Sequence, residues 1–287
     1  MNFRTDLALE RCETVDEKSL DGVKIEIFEE KGAKITRIDI LNPKGEKALG
    51  KPIGRYVTVE VAPFVSHTQF IDDSLGAVTD EIRRIVPQNG SVLVAGLGNL
   101  KITPDALGPK CASMIFATRH ITGELLRSTG LSGLRCVSAV ATGVTGETGA
   151  EAGEIIKGVA RTVKPDVIIT VDALVARNSE RLGTTIQMCN TGIVPGSGVG
   201  NSRQEISEKT IGVPVISIGV PTVVDAETLI TDYTGNENAV SDNAKNMMVT
   251  PKEIDLMIER ASKLTSLAIN CALQPDISPE DMLILTS

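Results

Sequence analysis

Short runs of consecutive apolar residues recur through the middle and the C-terminal part of the chain. Four such runs are rich in β-branched residues, are bounded by Gly, Pro or Asp, and span residues 92–95, 135–140, 167–171 and 215–218. Buried parallel strands have this pattern, because helices cover both faces of the sheet and remove the polar alternation. Residues 105–127 and 149–163 are long enough to form crossover helices. The pattern predicts an α/β fold, a three-layer α/β/α sandwich around a mostly parallel sheet.

The N-terminal part of the chain alternates between apolar and polar residues instead. This alternation covers residues 23–27, 35–41 and 55–61. A period of two is typical of strands with one exposed face. We therefore expect a small β-rich subdomain over 23–66 that packs on an α/β core over 67–287, with a separate N-terminal segment over 1–22.

The clearest helix signal lies near the C-terminus. Thr250 is followed directly by Pro251 and, at the third position, by Glu253. Thr at the N-cap, Pro at the first helical position and Glu two positions later form a capping box. Apolar residues then recur at helical spacing from Ile254 to Ala268. The pattern predicts a helix that is capped by Thr250.

Composition narrows the range of partners. The 287 residues are 41% hydrophobic and carry a formal net charge of -8, from 29 basic and 37 acidic residues. This balance argues against nucleic-acid binding, which requires a concentrated basic surface. No window approaches the roughly 18 uninterrupted apolar residues of a membrane span, and the five cysteines are dispersed, as is typical of a reducing interior. We expect a cytoplasmic protein without a nucleic-acid or membrane partner.

Several common catalytic motifs are absent from the sequence. It contains no H-E-x-x-H and no G-x-S-x-G motif, and its only histidines are His67 and His120. Nucleophilic catalysis by Ser–His or Cys–His pairs is therefore disfavoured. Residues 45–52 nearly match a phosphate-binding P-loop, but Pro52 replaces the hydroxyl residue that binds magnesium, so we interpret the match as coincidental.

Two glycines, Gly96 and Gly98, follow the first predicted core strand. They match the start of a dinucleotide-binding fingerprint, but Lys101 occupies the position of the third glycine. The alternative interpretation is a tight strand exit in which a glycine adopts positive φ. The sequence leaves both interpretations open.

Two acidic residues that follow predicted core strands are the strongest catalytic candidates. Asp105 lies shortly after the strand over 92–95, and Asp172 ends the strand over 167–171. Open α/β sheets place their active sites at the carboxyl ends of the strands, and neighbouring strands lie only about 4.8 Å apart. Two close carboxylates resist double ionisation, so one holds a proton as general acid while the other activates water. The positions predict a catalytic pair.

Each aspartate also has a structural interpretation. Thr103 and Pro104 look like an N-cap and a first helical residue, which makes Asp105 a first-turn acid favoured by the helix dipole by about 0.3–1 kcal/mol. Asp172 can serve as a helix cap. A carboxylate at the end of an apolar strand also carries a desolvation cost, which a functional role would explain. Both interpretations stay open for Asp105.

A glycine-rich segment covers residues 192–201. It contains four glycines, Gly192, Gly196, Gly198 and Gly200. Glycine leaves the backbone amides accessible to another chain or to an anion. A flexible connecting loop is the alternative, and the density of glycine in so short a span favours a binding role.

Seven blocks of sequence match one known family in the same order. They span residues 4–10, 54–58, 96–109, 171–177, 195–201, 219–226 and 248–253. Through these blocks the chain resembles the germination proteases of spore-forming Firmicutes over nearly its whole length.

The resemblance implies an atypical aspartic endopeptidase that degrades small acid-soluble spore proteins. It further implies a fold shared with hydrogenase-maturation proteases and a homotetramer in the cytoplasm of the forespore or spore core. The catalytic aspartates of the family fall on Asp105 and Asp172, the pair that the strand-end positions select. We expect no cofactor and no metal. The glycine-rich segment is expected to hold the extended substrate through Pro195, Gly196, Ser197, Gly198, Gly200 and Asn201.

The resemblance also implies synthesis as a zymogen. Family zymogens are trimmed after an acidic residue that is followed by an aliphatic residue, Ala and then Glu, and here that pattern falls on residues 6–10. It predicts self-processing at the bond between Asp6 and Leu7, so that residues 1–22 form a leader and processing segment and residues 67–287 the catalytic core. The leader before Asp6 is only five residues long, and the segment between Ala226 and Met248 is shorter than in the longer relatives.

Two other functions remain as alternatives. A metal-dependent endopeptidase of the hydrogenase-maturation type would share the strand-end acids, but histidine is scarce and no third ligand is evident. A noncatalytic nucleotide-binding or spore-structural protein can use the same Rossmann-like sheet. Sensitivity to chelators would favour the first alternative, and tight nucleotide binding without peptide cleavage would favour the second.

Overall fold

The computed structural model of the chain describes residues 4–15, 20–67, 69–121, 133–200, 203–236, 240–241, 243–244 and 247–286. The described strands form one mixed sheet. They are β1 Val23–Glu30, β2 Ala33–Ile40, β3 Gly54–Glu60, β4 Val92–Leu97, β5 Val137–Gly143, β6 Val167–Ala176, β7 Thr185–Cys189, β8 Val215–Asp225 and β9 Met248–Val249.

Helices connect and flank these strands. They are α1 Ala8–Thr14, α2 Pro43–Leu49, α3 Asp73–Ile85, α4 Leu107–Ser113, α5 Thr145–Thr148, α6 Ala152–Val163, α7 Glu208–Ile211, α8 Ala226–Thr234, α9 Ile254–Leu273 and α10 Pro279–Leu285. Short 3-10 helices occur at Phe64–Ser66, Thr103–Asp105, Ser179–Arg181 and Ser197–Val199. Within the described ranges, no helix has the length and apolar character needed to cross a membrane.

The sheet has a parallel centre and antiparallel flanks. Its strand order is β1-β2-β3-β7-β8-β6-β4-β5, and β9 pairs with the end of β8. Strands β8, β6, β4 and β5 run parallel to one another, whereas every pair that involves β1, β2, β3, β7 or β9 is antiparallel. The α/β class and the parallel arrangement of the four predicted core strands are confirmed.

Successive residues of the central strands face opposite layers of helices. In β4, Val92 and Val94 pack into the cluster formed with α3, α4 and α9, whereas Leu93 and Ala95 pack into the cluster formed with α6. All four side chains are buried, which explains why β4 is a continuous apolar run in the sequence. The predicted three-layer sandwich is confirmed.

The N-terminal strands continue the central sheet. β3 pairs antiparallel with β7, from Tyr56 opposite Cys189 to Glu60 opposite Thr185. Strands β1, β2 and β3 form as predicted, but a separate β-rich subdomain over 23–66 that packs on the core is not confirmed. The alternating pattern predicts strands without identifying the strand with which they pair, and β7 lies far along the chain.

The predicted cap of the C-terminal helix is wrong. α9 begins at Ile254 with Glu253 at the N-cap, and no side chain caps this end. The pairing of β9 with the end of β8 keeps the chain extended up to Val249. The helix therefore begins later than the capping-box signature at Thr250 predicts.

The two predicted crossover helices differ in outcome. α6 occupies most of the range 149–163, as predicted. By contrast, α4 ends at Ser113, and the N–H groups of Thr118 and Arg119 donate to the Val137 carbonyl oxygen of β5. These bonds tie the chain to the sheet edge and interrupt the helix predicted over 105–127, of which residues 122–127 lie outside the described residues.

Candidate active site

A cavity of about 410 Å³ lies at the carboxyl ends of the parallel strands β4 and β6. Open α/β sheets bind their ligands at this edge. The predicted site residues among its lining are Asp6, Asp105, Asp172, Pro195, Gly196 and Gly198. Ser197 and Gly200 belong to the same described segment, whereas Asn201 lies outside the described residues.

The backbone at the end of β4 passes the start of α4 at very short range. A Cβ atom on Gly96 would lie 2.0 Å from the Gly108 carbonyl oxygen, and one on Gly98 would lie 2.2 Å from the Asp105 carbonyl oxygen. Gly98 also has a φ of +106°, a conformation that favours glycine. Of the two interpretations of these glycines, the tight strand exit is confirmed, and it brings Asp105 back to the end of β4.

Asp105 is the last residue of the 3-10 helix Thr103–Asp105. Its Oδ2 accepts a hydrogen bond of 2.6 Å from the Asn99 backbone N–H. Ile102 occupies the N-cap and no side chain caps the helix, so the cap predicted for Thr103 is wrong. Burial raises the pKa of the Asp105 carboxyl, and the Asn99 N–H opposes that rise. The strand exit therefore orients this carboxylate.

Asp172 lies in the middle of β6, which continues to Ala176, so the prediction that it ends the strand is wrong. The residue is only 6% exposed, and its Oδ1 accepts a hydrogen bond of 2.9 Å from the adjacent Ala173 N–H. Burial, together with the charges of Asp105 and Asp6, raises the pKa of the Asp172 carboxyl well above its usual value. Such a group keeps its proton when more exposed carboxyls ionise.

Asp6 is held at the edge of the same cavity. Its backbone N–H donates to the Val175 carbonyl oxygen at 2.9 Å, and its Oδ2 accepts a bond of 2.9 Å from the Val175 N–H. Ser197 Oγ donates to Asp6 Oδ1 at 2.9 Å. The residue predicted to precede the processing bond is therefore fixed between β6 and the glycine-rich segment.

The Asp6 carbonyl oxygen has two side-chain donors of its own. Lys51 Nζ and Gln187 Nε2 each donate to it at 3.0 Å. Gln187 Oε1 also accepts a bond of 2.6 Å from the Ala8 N–H. Neither donor is identifiable from the sequence, because Lys51 lies in a coincidental P-loop match and Gln187 lies in a short strand without a motif.

The segment that follows Asp6 is buried. Leu7 is fully buried in an apolar cluster with the last part of β6. Glu10, which is 1% exposed, accepts hydrogen bonds of 2.7 and 2.9 Å from the backbone N–H groups of Arg177 and Asn178. The predicted processing pattern is thus bound along the end of β6.

The glycine-rich segment folds closely against Asp6. Gly196 and Gly200, with φ values of +71° and +73°, flank the 3-10 helix Ser197–Val199. A Cβ atom on Gly198 would lie 2.4 Å from Asp6 Oδ2. Glycine at this position therefore leaves the space that the Asp6 carboxylate occupies.

The arrangement is suited to acid–base chemistry. Two carboxyl groups with raised pKa values that line one cavity can divide the roles of proton donor and proton acceptor. A raised carboxyl pKa also moves toward the pH range in which acid–base catalysis is efficient. Among the residues that the structure describes, no group of three or more His, Cys, Asp or Glu is placed to hold a metal ion.

Residues 4–235 match the family described as germination protease. The germination protease of Caldanaerobacter subterraneus subsp. tengcongensis is 43% identical and is aligned over 98% of this chain and 97% of its own length. That of Priestia megaterium is 35% identical over 98% and 96%, respectively. A solved NiFe hydrogenase maturation protease from Thermococcus kodakarensis KOD1 has a TM-score of 0.39 and 18% identity, covering 67% of this chain and 98% of its own.

Proposed function

The chain belongs to the germination protease family, and we propose that it is an aspartic-type endopeptidase that hydrolyses small acid-soluble spore proteins during germination. It is made as a self-processing zymogen, works without a cofactor and acts in the cytoplasm of the forespore and spore core. Relatives aligned over nearly their whole length support the shared activity. The proposed assembly is a homotetramer; a four-chain mass in light scattering would support it, and a one-chain mass would contradict it.

The observation that carries the proposed mechanism is that Asp105 and Asp172 line the same cavity at the carboxyl ends of β4 and β6. The charge of Asp105 contributes to the raised pKa of Asp172, so the two carboxyls resist simultaneous ionisation. Asp172 is the more deeply buried of the two, which favours its protonated form. Asp105 accepts the Asn99 N–H bond, which favours its ionised form. We therefore assign Asp172 as the general acid and Asp105 as the general base.

Peptide hydrolysis follows from these assignments. Asp105 takes a proton from a water molecule as the water oxygen bonds to the scissile carbonyl carbon. Asp172 gives its proton to the leaving amine as the C–N bond breaks. Transfer of a proton from Asp105 to Asp172, directly or through water, then restores the pair for the next turnover.

Self-processing at the bond between Asp6 and Leu7 is supported by the position of Asp6. Its carboxylate accepts bonds from Ser197 Oγ and the Val175 N–H, and the residue lines the cavity of the proposed acid pair. Leu7 is fully buried on the other side of the bond. Cleavage would release residues 1–6 and leave the packed segment from Leu7 onward attached.

A peptide with an acidic residue before Leu-Ala or Ile-Ala is expected to be cut after the acidic residue. The reason is that Ser197 Oγ and the Val175 N–H provide hydrogen bonds for a carboxylate at this position. Mass spectrometry after incubation at mildly acidic pH is expected to locate this cut and to show the loss of residues 1–6 from the protein. The matched control is the same peptide with the corresponding amide, which is expected to be cut more slowly.

An intact peptide and an unprocessed protein after the same incubation would contradict the proposed function. Addition of a chelator distinguishes the proposed mechanism from the metal-dependent alternative, because cleavage that stops on chelation indicates a metal-dependent endopeptidase. Tight nucleotide binding by a protein that leaves the peptide intact would support the noncatalytic alternative.

A further inference from the structure

Lys51 is a half-buried lysine whose ammonium group donates to a backbone carbonyl. Its Nζ lies 3.0 Å from the Asp6 carbonyl oxygen, and no carboxylate of the described residues forms an ion pair with it. Burial lowers the pKa of the Lys51 ammonium, and the nearby Asp6 carboxylate opposes this effect. Removing an ammonium group even partly from water without an ion pair to a carboxylate is costly. A neutral carbonyl does not require so costly a donor.

The turn after α2 directs Lys51 into the fold. Gly50 ends this helix in the left-handed conformation with a φ of +61°, which reverses the chain immediately before Lys51. On the other side, the Pro52 carbonyl accepts a bond of 2.9 Å from the hydroxyl of the buried Tyr56. The residues on both sides of Lys51 are therefore held in place, and the ammonium group lies at the Asp6 carbonyl oxygen.

Gln187 supplies the second donor from a rigid position. It lies in β7, which pairs with β3 on one side and with β8 on the other. Its Oε1 is occupied by the Ala8 N–H, which fixes the orientation of the amide. As a consequence, Nε2 points at the Asp6 carbonyl oxygen.

We propose that Lys51 and Gln187 stabilise the negative charge that develops on the Asp6 carbonyl oxygen during cleavage of the bond between Asp6 and Leu7. This inference rests on the proposed self-processing. In that reaction the oxygen of a water molecule bonds to the Asp6 carbonyl carbon, the bond to the Leu7 nitrogen breaks, and a proton passes to that nitrogen. The two donors already face the oxygen that becomes charged, as in an oxyanion hole.

The charged donor gains strength as the reaction proceeds. A hydrogen bond from an ammonium group to an oxyanion is roughly twice as strong as one between neutral groups. Only interactions that strengthen between the ground state and the transition state accelerate the reaction. Lys51 therefore stabilises the transition state of self-processing more than it stabilises the uncleaved chain. It also lowers the folding stability, which a residue with a purely structural role would not do.

The test compares self-processing of the wild-type chain with that of Lys51→Met, which keeps an unbranched side chain and removes the charge. Intact-mass spectrometry follows the loss of residues 1–6 with time, and urea denaturation measures stability. Removal of one oxyanion donor typically slows a reaction by about 10²–10³-fold, and we expect this loss with stability equal to or above that of the wild type. Lys47→Met, which changes an exposed lysine of α2, is the matched control and is expected to process at the wild-type rate.

The outcomes separate this inference from the proposed function. Processing of Lys51→Met at the wild-type rate, or slow processing that is explained by loss of stability, overturns the inference and leaves the proposed self-processing in place. A wild-type chain that never loses residues 1–6 overturns both. If Lys51→Met does not fold, Gln187→Met removes the neutral donor, and processing of that folded variant at the wild-type rate overturns the inference.

Discussion

The substitution Asp172→Asn is expected to reduce kcat/KM for peptide cleavage by roughly 10²–10⁴-fold, the usual contribution of a general acid. Asn fills the same space, and its Oδ1 can still accept the Ala173 N–H bond, so the fold should be retained. What is lost is the proton that the leaving amine requires. The measurement compares the initial rates at which the variant and the wild type cleave the peptide with an acidic residue before Leu-Ala, followed by mass spectrometry.

The same substitution is expected to stabilise the protein at neutral pH. The pKa of Asp172 in the folded protein is raised by burial and by its acidic neighbours. The contribution of this carboxyl to stability is therefore fully present below its unfolded pKa of about 3.9. It is lost as the pH rises through the pKa of the folded protein. An asparagine side chain does not ionise, so the variant does not lose stability in this way as the pH rises. The gain should be present at pH 7 and should vanish near pH 4, where the carboxyl is protonated in the folded and the unfolded chain alike.

An exposed aspartate provides the control for these measurements. Asp276 lies in the turn after α9 and is exposed, and Asp276→Asn should leave both the rate of peptide cleavage and the stability at pH 7 close to the wild-type values. If Asp172→Asn kept most of the wild-type activity, Asp172 would be removed from the mechanism. If it were folded but less stable than the wild type at pH 7, the assignment of Asp172 as a buried, proton-holding carboxyl would be wrong.

Asp105→Asn is expected to cause a loss of the same order, roughly 10²–10⁴-fold in kcat/KM, by removing the general base. The amide oxygen can retain the hydrogen bond from the Asn99 N–H, and Gly98 leaves the backbone path of the strand exit unchanged. The variant should therefore fold as the wild type does. Single-turnover cleavage of the peptide measures the chemical step and separates it from substrate binding.

The amide variants also test whether the peptide binds normally. Neither substitution removes Ser197 or the Val175 N–H, which form the proposed subsite for the acidic residue. Peptide affinity should therefore stay within a few-fold of the wild type for Asp105→Asn, on the order of 1 kcal/mol or less. Wild-type rates with Asp105→Asn would show that another group activates the water.

Local sequence patterns predict the parallel strands at the centre of the sheet. The apolar runs that became β4, β6 and β8 are buried on both faces, so their position in a parallel sheet follows from composition. The run that became β5 lies at the sheet edge and is only partly buried. The pairing of β3 with β7 could not be predicted in this way, because no local signal identifies a distant partner. The extension of β6 to Ala176 does not follow from the sequence, because Asp172 interrupts the apolar run within the strand.

The same distinction applies to the candidate site. Asp105 and Asp172 can be selected from the sequence because each is a carboxylate next to a predicted strand. Open α/β sheets place their active sites at the carboxyl ends of the strands. Lys51 and Gln187 are brought together at the Asp6 carbonyl by a turn and a strand from different parts of the chain. No spacing in the sequence relates them, so only the folded chain makes their relationship visible.

The pH dependence of wild-type kcat/KM for the peptide tests the central claim most directly, namely that Asp105 and Asp172 share one proton. The rate is expected to fall at low pH as Asp105 becomes protonated and to fall again at higher pH as Asp172 ionises. The two apparent pKa values belong to the pair, and the upper one should lie above the usual carboxyl range. A bell-shaped profile is the predicted result; a rate that stays constant or keeps rising from mildly acidic to alkaline pH would contradict the account.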